Sequence, residues 1–167
     1  ADVGGMTDRA AVTFVDNGLT WPGGGVMQYV SVGLRLVAQL IDGLVVFFGL
    51  GYFIATLTGA TTPGGFELTG GPAFLLFALG FAYFVLLEGL VGATLGKLAV
   101  GICVRSADGQ RSGLRAALVR NVLRIVDALP LFYLVGAVLV WKSPTRQRFG
   151  DRVAETVVVR RSSLPSI

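Results

Sequence analysis

Two long apolar runs dominate the chain. The first extends from Leu36 to Leu57 with a single charge, Asp42; the second extends from Pro72 to about Gly92 with a single charge, Glu88. At 1.5 Å of rise per residue, about 22 helical residues suffice to cross a hydrocarbon core roughly 30 Å thick. The stretch between them, Gly59 to Gly71, carries Thr61, Thr62, Pro63, Gly64, Gly65 and Glu67, which is turn chemistry. The pattern predicts a hairpin of two transmembrane helices.

The remaining third of the chain is patterned differently. Over Ser112 to Arg124 the apolar residues Leu114, Ala117, Leu118, Val122 and Ile125 fall near one helical stripe, interleaved with Arg115, Arg120 and Arg124. Pro130 interrupts this amphipathic pattern, and the apolar stretch Leu129 to Trp141 is about 13 residues long, short for a full crossing. Either the two pieces form a re-entrant hairpin with both ends on one side, or residues 118–141 make one tilted span. Leu98 to Val104 and Val153 to Val159 read as short β-rich runs, with Asp108-Gly109 a turn signal. Lone strands gain stability only by pairing, so the two runs are expected on the same side, which favours the re-entrant arrangement. The expected fold is an all-α membrane protein: two transmembrane helices, a re-entrant or third membrane segment, and a short cytoplasmic two-stranded β element. Residues 1–28 form an N-terminal arm, 29–161 the membrane domain and 162–167 a tail. The arm lacks an apolar core of the signal-peptide kind, so it is expected to be flexible or to lie along the interface.

Composition supports a lipid environment. Of 167 residues, 53% are hydrophobic and only 14% charged, with mean hydropathy +0.72, whereas soluble domains carry about a quarter charged residues. The net charge of +4 might suggest nucleic acid, but the basic residues flank apolar segments without interleaved aromatics, so none is expected to bind. They set orientation instead. Residues 59–71 hold no Lys or Arg, whereas 93–117 hold Lys97, Arg105, Arg111 and Arg115, and Arg35 opens the first span. By the positive-inside rule the N-terminus and residues 93–117 are expected in the cytoplasm of a bacterial inner membrane and the 59–71 loop outside; the re-entrant arrangement keeps the C-terminus cytoplasmic too, whereas one tilted span would put the basic tail outside. One cysteine, Cys103, precludes an internal disulfide, and the absence of histidine removes the commonest general base. No enzyme, metal centre or cofactor is expected.

The charges within the spans carry the candidate chemistry. Arg35 and Asp42 are two helical turns apart and share a face; Arg120, Arg124 and Asp127 fall at i, i+4 and i+7. With Glu88 they make three cations and three anions. A charge at mid-bilayer costs on the order of 3 kcal/mol or more, so these groups should point inward and pair. Asp42 is the leading candidate for reversible protonation or cation coordination. Glu88 or Asp127 would be the second carboxylate, and Arg124 or Arg35 an internal competitor for the ion. The simpler alternative is that the charges only lock helices together. Asp151 reads as an anchoring or capping residue. Lys97 after Gly96 lacks the spacing and the following Ser or Thr of a phosphate loop. Gly92 to Gly96 fits a GxxxG packing face, and Trp21 and Trp141 suit membrane interfaces.

These residues carry a resemblance. Tyr29–Asp42 reads YVSVGLRLVAQLID with Arg35 and Asp42 in an R-x6-D arrangement, Thr94–Gly109 reads TLGKLAVGICVRSADG, Arg120–Pro130 reads RNVLRIVDALP, and Arg148–Val158 reads RFGDRVAETVV. In order, over residues 29 to 161, they resemble the RDD family of small bacterial membrane proteins. One departure is Glu155, where the family often has glycine before the threonine of its terminal strand. The resemblance implies a transport-related role, with alkali cation and proton exchange proposed for some members. A small transporter that oligomerises to enclose a pathway is therefore expected. The rival is an accessory subunit of a larger membrane complex, and a third reading is binding of anionic lipid by the basic cytoplasmic face.

Overall fold

A computed structural model describes residues 13–15, 18–20, 26–107, 109–127 and 149–164. The apolar runs become two long helices, α1 (Val32–Thr58) and α2 (Gly70–Val91), of 27 and 22 residues. Both are long and apolar enough to cross a membrane. They are joined by a two-residue hairpin, β4 (Thr61–Thr62) and β5 (Gly65–Phe66). Each helix changes pitch once. α1 is π-helical over Val45–Leu50, just after Asp42, and α2 over Leu87–Val91, around Glu88. Large side chains such as Leu40, Phe48, Phe53, Leu57, Phe74 and Phe77 project outward unburied, as a lipid-facing surface requires.

At the end of the spans away from that hairpin, the chain folds into a compact cap. α3 (Leu95–Ala99) leads into strand β6 (Ile102–Ser106), which pairs antiparallel with β7 (Thr156–Arg160), Cys103 opposite Val159 and Arg105 opposite Val157. The predicted strands do pair, but each starts about three or four residues later than the β-rich composition suggested. Leu98 and Ala99 instead close α3, because Thr94 caps that helix by accepting from the Lys97 amide. Both faces of the ribbon are buried. Met27, Tyr29, Ala93, Cys103, Val157 and Val159 pack on one side, and Val30, Ala38, Ile102, Val104 and Val158 on the other. Burial pushes the Cys103 thiol up, which leaves it inert.

The N-terminal arm contains three short antiparallel strands, β1 (Thr13–Val15), β2 (Gly18–Thr20) and β3 (Val26–Gln28). Met27 is in the core, Tyr29 bridges to Val159, and the Val30 amide donates to the Val158 carbonyl at 3.2 Å. At least the end of the arm is thus a wall of the cap, and not the free or interface-lying segment that its composition suggested. The reason is the edge of β7, whose unpaired backbone groups need partners.

α4 (Gly113–Asp127) is helical as predicted, and Arg120 and Arg124 point inward to pair, as the cost of burying charge requires. Ala117 and Asn121 are buried, and the Arg120 side chain is 9% exposed, while Leu114, Leu118 and Val122 are each nearly half exposed. α5 (Phe149–Val153) then returns to β7 through Glu155, which alone among described non-glycine residues has positive φ, at 50°. The left-handed backbone explains why glycine is frequent there in the family pattern and why Glu155 departs from it at a strain cost. Leu129–Trp141, and with it the re-entrant hairpin, lies outside the described residues.

Candidate functional site

The cap meets the spans through two clusters of buried polar groups. The first is built around Asp42, fully buried on α1. Its carboxylate accepts from the Tyr83 hydroxyl of α2 at 2.8 Å, the Thr94 hydroxyl at 2.5 Å and the Gly96 amide at 2.7 Å. The Leu95 amide in turn donates to the Tyr83 oxygen at 3.1 Å. Asp42 therefore satisfies the exposed amides at the start of α3, where a negative group also meets the favourable end of the peptide dipoles. The approach requires glycine at 96: a Cβ there would sit 2.1 Å from the Ala38 carbonyl oxygen and 2.8 Å from the Asp42 Cγ. Gly92 and Gly96 thus do not form one helix face as GxxxG spacing suggested; Gly96 alone makes the contact, with α1.

The second cluster lies around Glu88 and Asp151, 2% and 4% exposed. Glu88 accepts from Lys97 in a short buried ion pair and lies 3.4 Å from Arg120 Nε and 3.9 Å from Arg124. Asp151 binds Arg35 at 2.8 Å and Arg120 at 3.2 Å, so Arg120 ties the two acids together. Arg120 also donates to the Thr156 hydroxyl at 2.8 Å, and the Asn121 amide to the Ala117 carbonyl. Arg124 donates to the Asn121 side-chain oxygen at 3.3 Å and stacks 4.5 Å above the Phe84 ring. Five segments converge here: α1, α2, α3, α4 and α5. They surround a cavity of about 40 Å³ whose lining includes Arg35, Glu88, Lys97, Arg120, Arg124 and Asp151.

Of the residues singled out by sequence, Arg35, Glu88, Arg120 and Arg124 come together. Asp42 does not join them: its hydrogen-bond partners are neutral, and no cation lies within ion-pairing distance among the described residues. Arg35 and Asp42 share the buried face of α1 as their spacing predicted, but serve different clusters. Asp127 ends α4, and its side chain lies outside the described residues. Asp151 is indeed an anchor, yet one placed in the cavity wall. Sequence reasoning missed Lys97 and Asn121. Lys97 could have been found from its position: a lone lysine nine residues after an intramembrane glutamate, on the short segment that must fold back under it. Burial pushes its ammonium down to about 8 against the opposing pull of Glu88.

Six charged groups, four cations and two acids from distant segments, thus depend on one another for burial. No curated protein and no solved structure gives a significant match. The family profile of the RDD family matches residues 3–155, nearly the whole chain and most of the N-terminal arm with it, and on that evidence the protein belongs to the RDD family.

Proposed function

We propose that the protein is a small transport protein of a bacterial inner membrane, with both termini cytoplasmic, whose ion- and proton-handling site is the Glu88–Lys97–Arg120–Asp151 cluster. The observation that carries this reading is the buried ionisable cluster itself, open to a cavity at the end of two lipid-exposed spans. Simple anchoring would be served by fewer charges, each costly to bury. Burial lowers the Lys97 ammonium to about 8, which makes its proton easier to release than that of an exposed lysine. The spans carry no charged residue over 43–58 or 70–87, so one protomer offers no polar route across, and the pathway would be completed between copies of the chain.

The rival accessory-subunit reading draws support from the same exposed apolar faces of α1 and α2, which a larger complex could cover. Purified protein reconstituted in liposomes with an internal pH dye separates the two. Proton movement driven by an added sodium, potassium or phosphate gradient, and abolished in Lys97→Gln that still purifies as wild type does, is the expected result. No proton movement with any ion, together with a stable copurifying membrane partner, would establish the subunit reading instead.

A further inference from the structure

We infer that Asp42 is a positioning residue for the Glu88–Lys97 pair: its carboxylate holds the first turn of α3, and α3 in turn holds Lys97 against Glu88. The inference deepens the reading of that cluster as a proton-handling site. It rests on that reading for what the lysine does, and on geometry alone for how the lysine is placed.

The carrying observation is where the first amides of α3 end. The Gly96 amide donates directly to the Asp42 carboxylate at 2.7 Å. The Leu95 amide donates to the Tyr83 oxygen at 3.1 Å, and that hydroxyl donates to Asp42 at 2.8 Å. The Lys97 amide donates to the Thr94 oxygen at 3.4 Å, and that hydroxyl donates to Asp42 at 2.5 Å. Three consecutive amides thus terminate, directly or through one hydroxyl, on a single carboxylate. The polarity of this relay demands an acid. Each hydroxyl gives its proton to Asp42 and accepts from an amide, and only a carboxylate accepts on both of its oxygens. An asparagine would turn an N–H towards one of the donors.

The shape of α3 carries this grip to Lys97. Successive residues of a helix point about 100° apart. Gly96 faces α1, with no room for a side chain against Ala38 and Asp42, and Lys97, next along the turn, reaches Glu88 of α2. α3 has only five residues, so its first turn cannot shift without carrying the lysine with it. The ammonium shares its cavity with Glu88, with Arg120 and Arg124 of α4, with Arg35 of α1 and with Asp151 of α5, and Cys103 of β6 is within its electrostatic reach. Burial in that setting is what lowers it to about 8. Because Asp42 belongs to α1 and Glu88 to α2, a displacement of one span against the other changes how firmly Lys97 keeps its proton.

The test titrates that ammonium in the full chain. Lysine occurs only at positions 97 and 142, so lysine labelled with carbon-13 at Cε gives a single signal by NMR in detergent micelles in a Lys142→Arg background. In Asp42→Asn the titration midpoint should rise by about one pH unit or more towards that of an exposed lysine, as α3 lets go and Lys97 reaches water. The sign is decisive, because loss of a negative charge acting only through space would lower the midpoint. Tyr83→Phe removes one arm of the relay, keeps the carboxylate and should raise the midpoint by less. A midpoint unchanged or lowered in Asp42→Asn that elutes as wild type does, or in Tyr83→Phe if the asparagine variant does not fold, would overturn the inference. A raised midpoint with proton flux intact in Lys97→Gln would refute the transport reading and leave the positioning role standing. Flux lost in Lys97→Gln with an unmoved midpoint in Asp42→Asn would do the reverse.

Discussion

Asp42 and Glu88 are both acids set in apolar helices, both next to a π-helical turn, and both almost out of contact with solvent at 0% and 2% exposure. Their surroundings are opposite. Asp42 is held by a phenol, a hydroxyl and a backbone amide, with distances of 2.5 to 2.8 Å and no counter-charge among the described residues. Glu88 is held by a lysine and two arginines, with gaps of 3.4 and 3.9 Å to the latter and a cavity beside it. The first cluster is tight, closed and shaped around a glycine. The second is looser and opens on a cavity. A carboxylate can be kept in a membrane protein by neutral dipoles alone when a helix end is brought to it, and then it has no capacity left for a ligand. A carboxylate kept by charges leaves donors and space over. The burial of an acid therefore does not mark a functional site; the manner of its compensation does.

The largest effect should come from the tight cluster. Gly96→Ala drives a methyl into the Ala38 carbonyl and the Asp42 amide, and should cost at least about 3 kcal/mol, because these opposing atoms are backbone and cannot swing away. Loss of monodisperse protein on size exclusion is the readout, and a variant as stable as wild type would show that α3 does not pack on α1 as described. Next in size is the contrast between the two acids. Glu88→Gln leaves Lys97 and two arginines short of an anion and should cost about 3–5 kcal/mol, whereas Asp42→Asn loses charge-assisted hydrogen bonds and should cost about 1–3 kcal/mol. Thermal unfolding in detergent decides it, and the reverse order would erase the distinction drawn between the clusters.

The smallest effect is a pH dependence confined to the open cluster. Lys97 is charged below about 8 and neutral above it. Arg35, Arg120 and Arg124 keep their charge throughout, and Glu88 and Asp151 complete the set that faces it. The unfolded chain keeps this proton where the buried lysine sheds it, so thermal stability in detergent should rise as pH climbs from 7 to 9. Lys97→Arg should flatten the profile, and a wild-type profile already flat would show that Lys97 does not take part.

Much of the architecture is legible in the residues. The two spans follow from apolar length, and the R-x6-D spacing puts Arg35 and Asp42 on one face of α1 by helical geometry alone. The β pair follows from valine-rich runs and a turn signal, within a few residues. The membership of each charge in a cluster was not legible. Asp42 looked like the best exchange group because it is a lone acid in an apolar run, and nothing local reveals that Thr94, Gly96 and Tyr83, between 41 and 54 positions away, would surround it. The inward turn of Arg120 and Arg124 was legible from the cost of burying charge, but the acids they meet, Glu88 and Asp151, were not.

The chain by itself determined that two segments leave water, and that the charges they carry must find company, because hydration is lost residue by residue and length alone sets what crosses a bilayer. Only the folded arrangement decided which company each charge keeps. Pairing energies depend on separations of a few ångströms between groups far apart in sequence, and those separations are set by how α3, α4 and α5 dock beneath the spans.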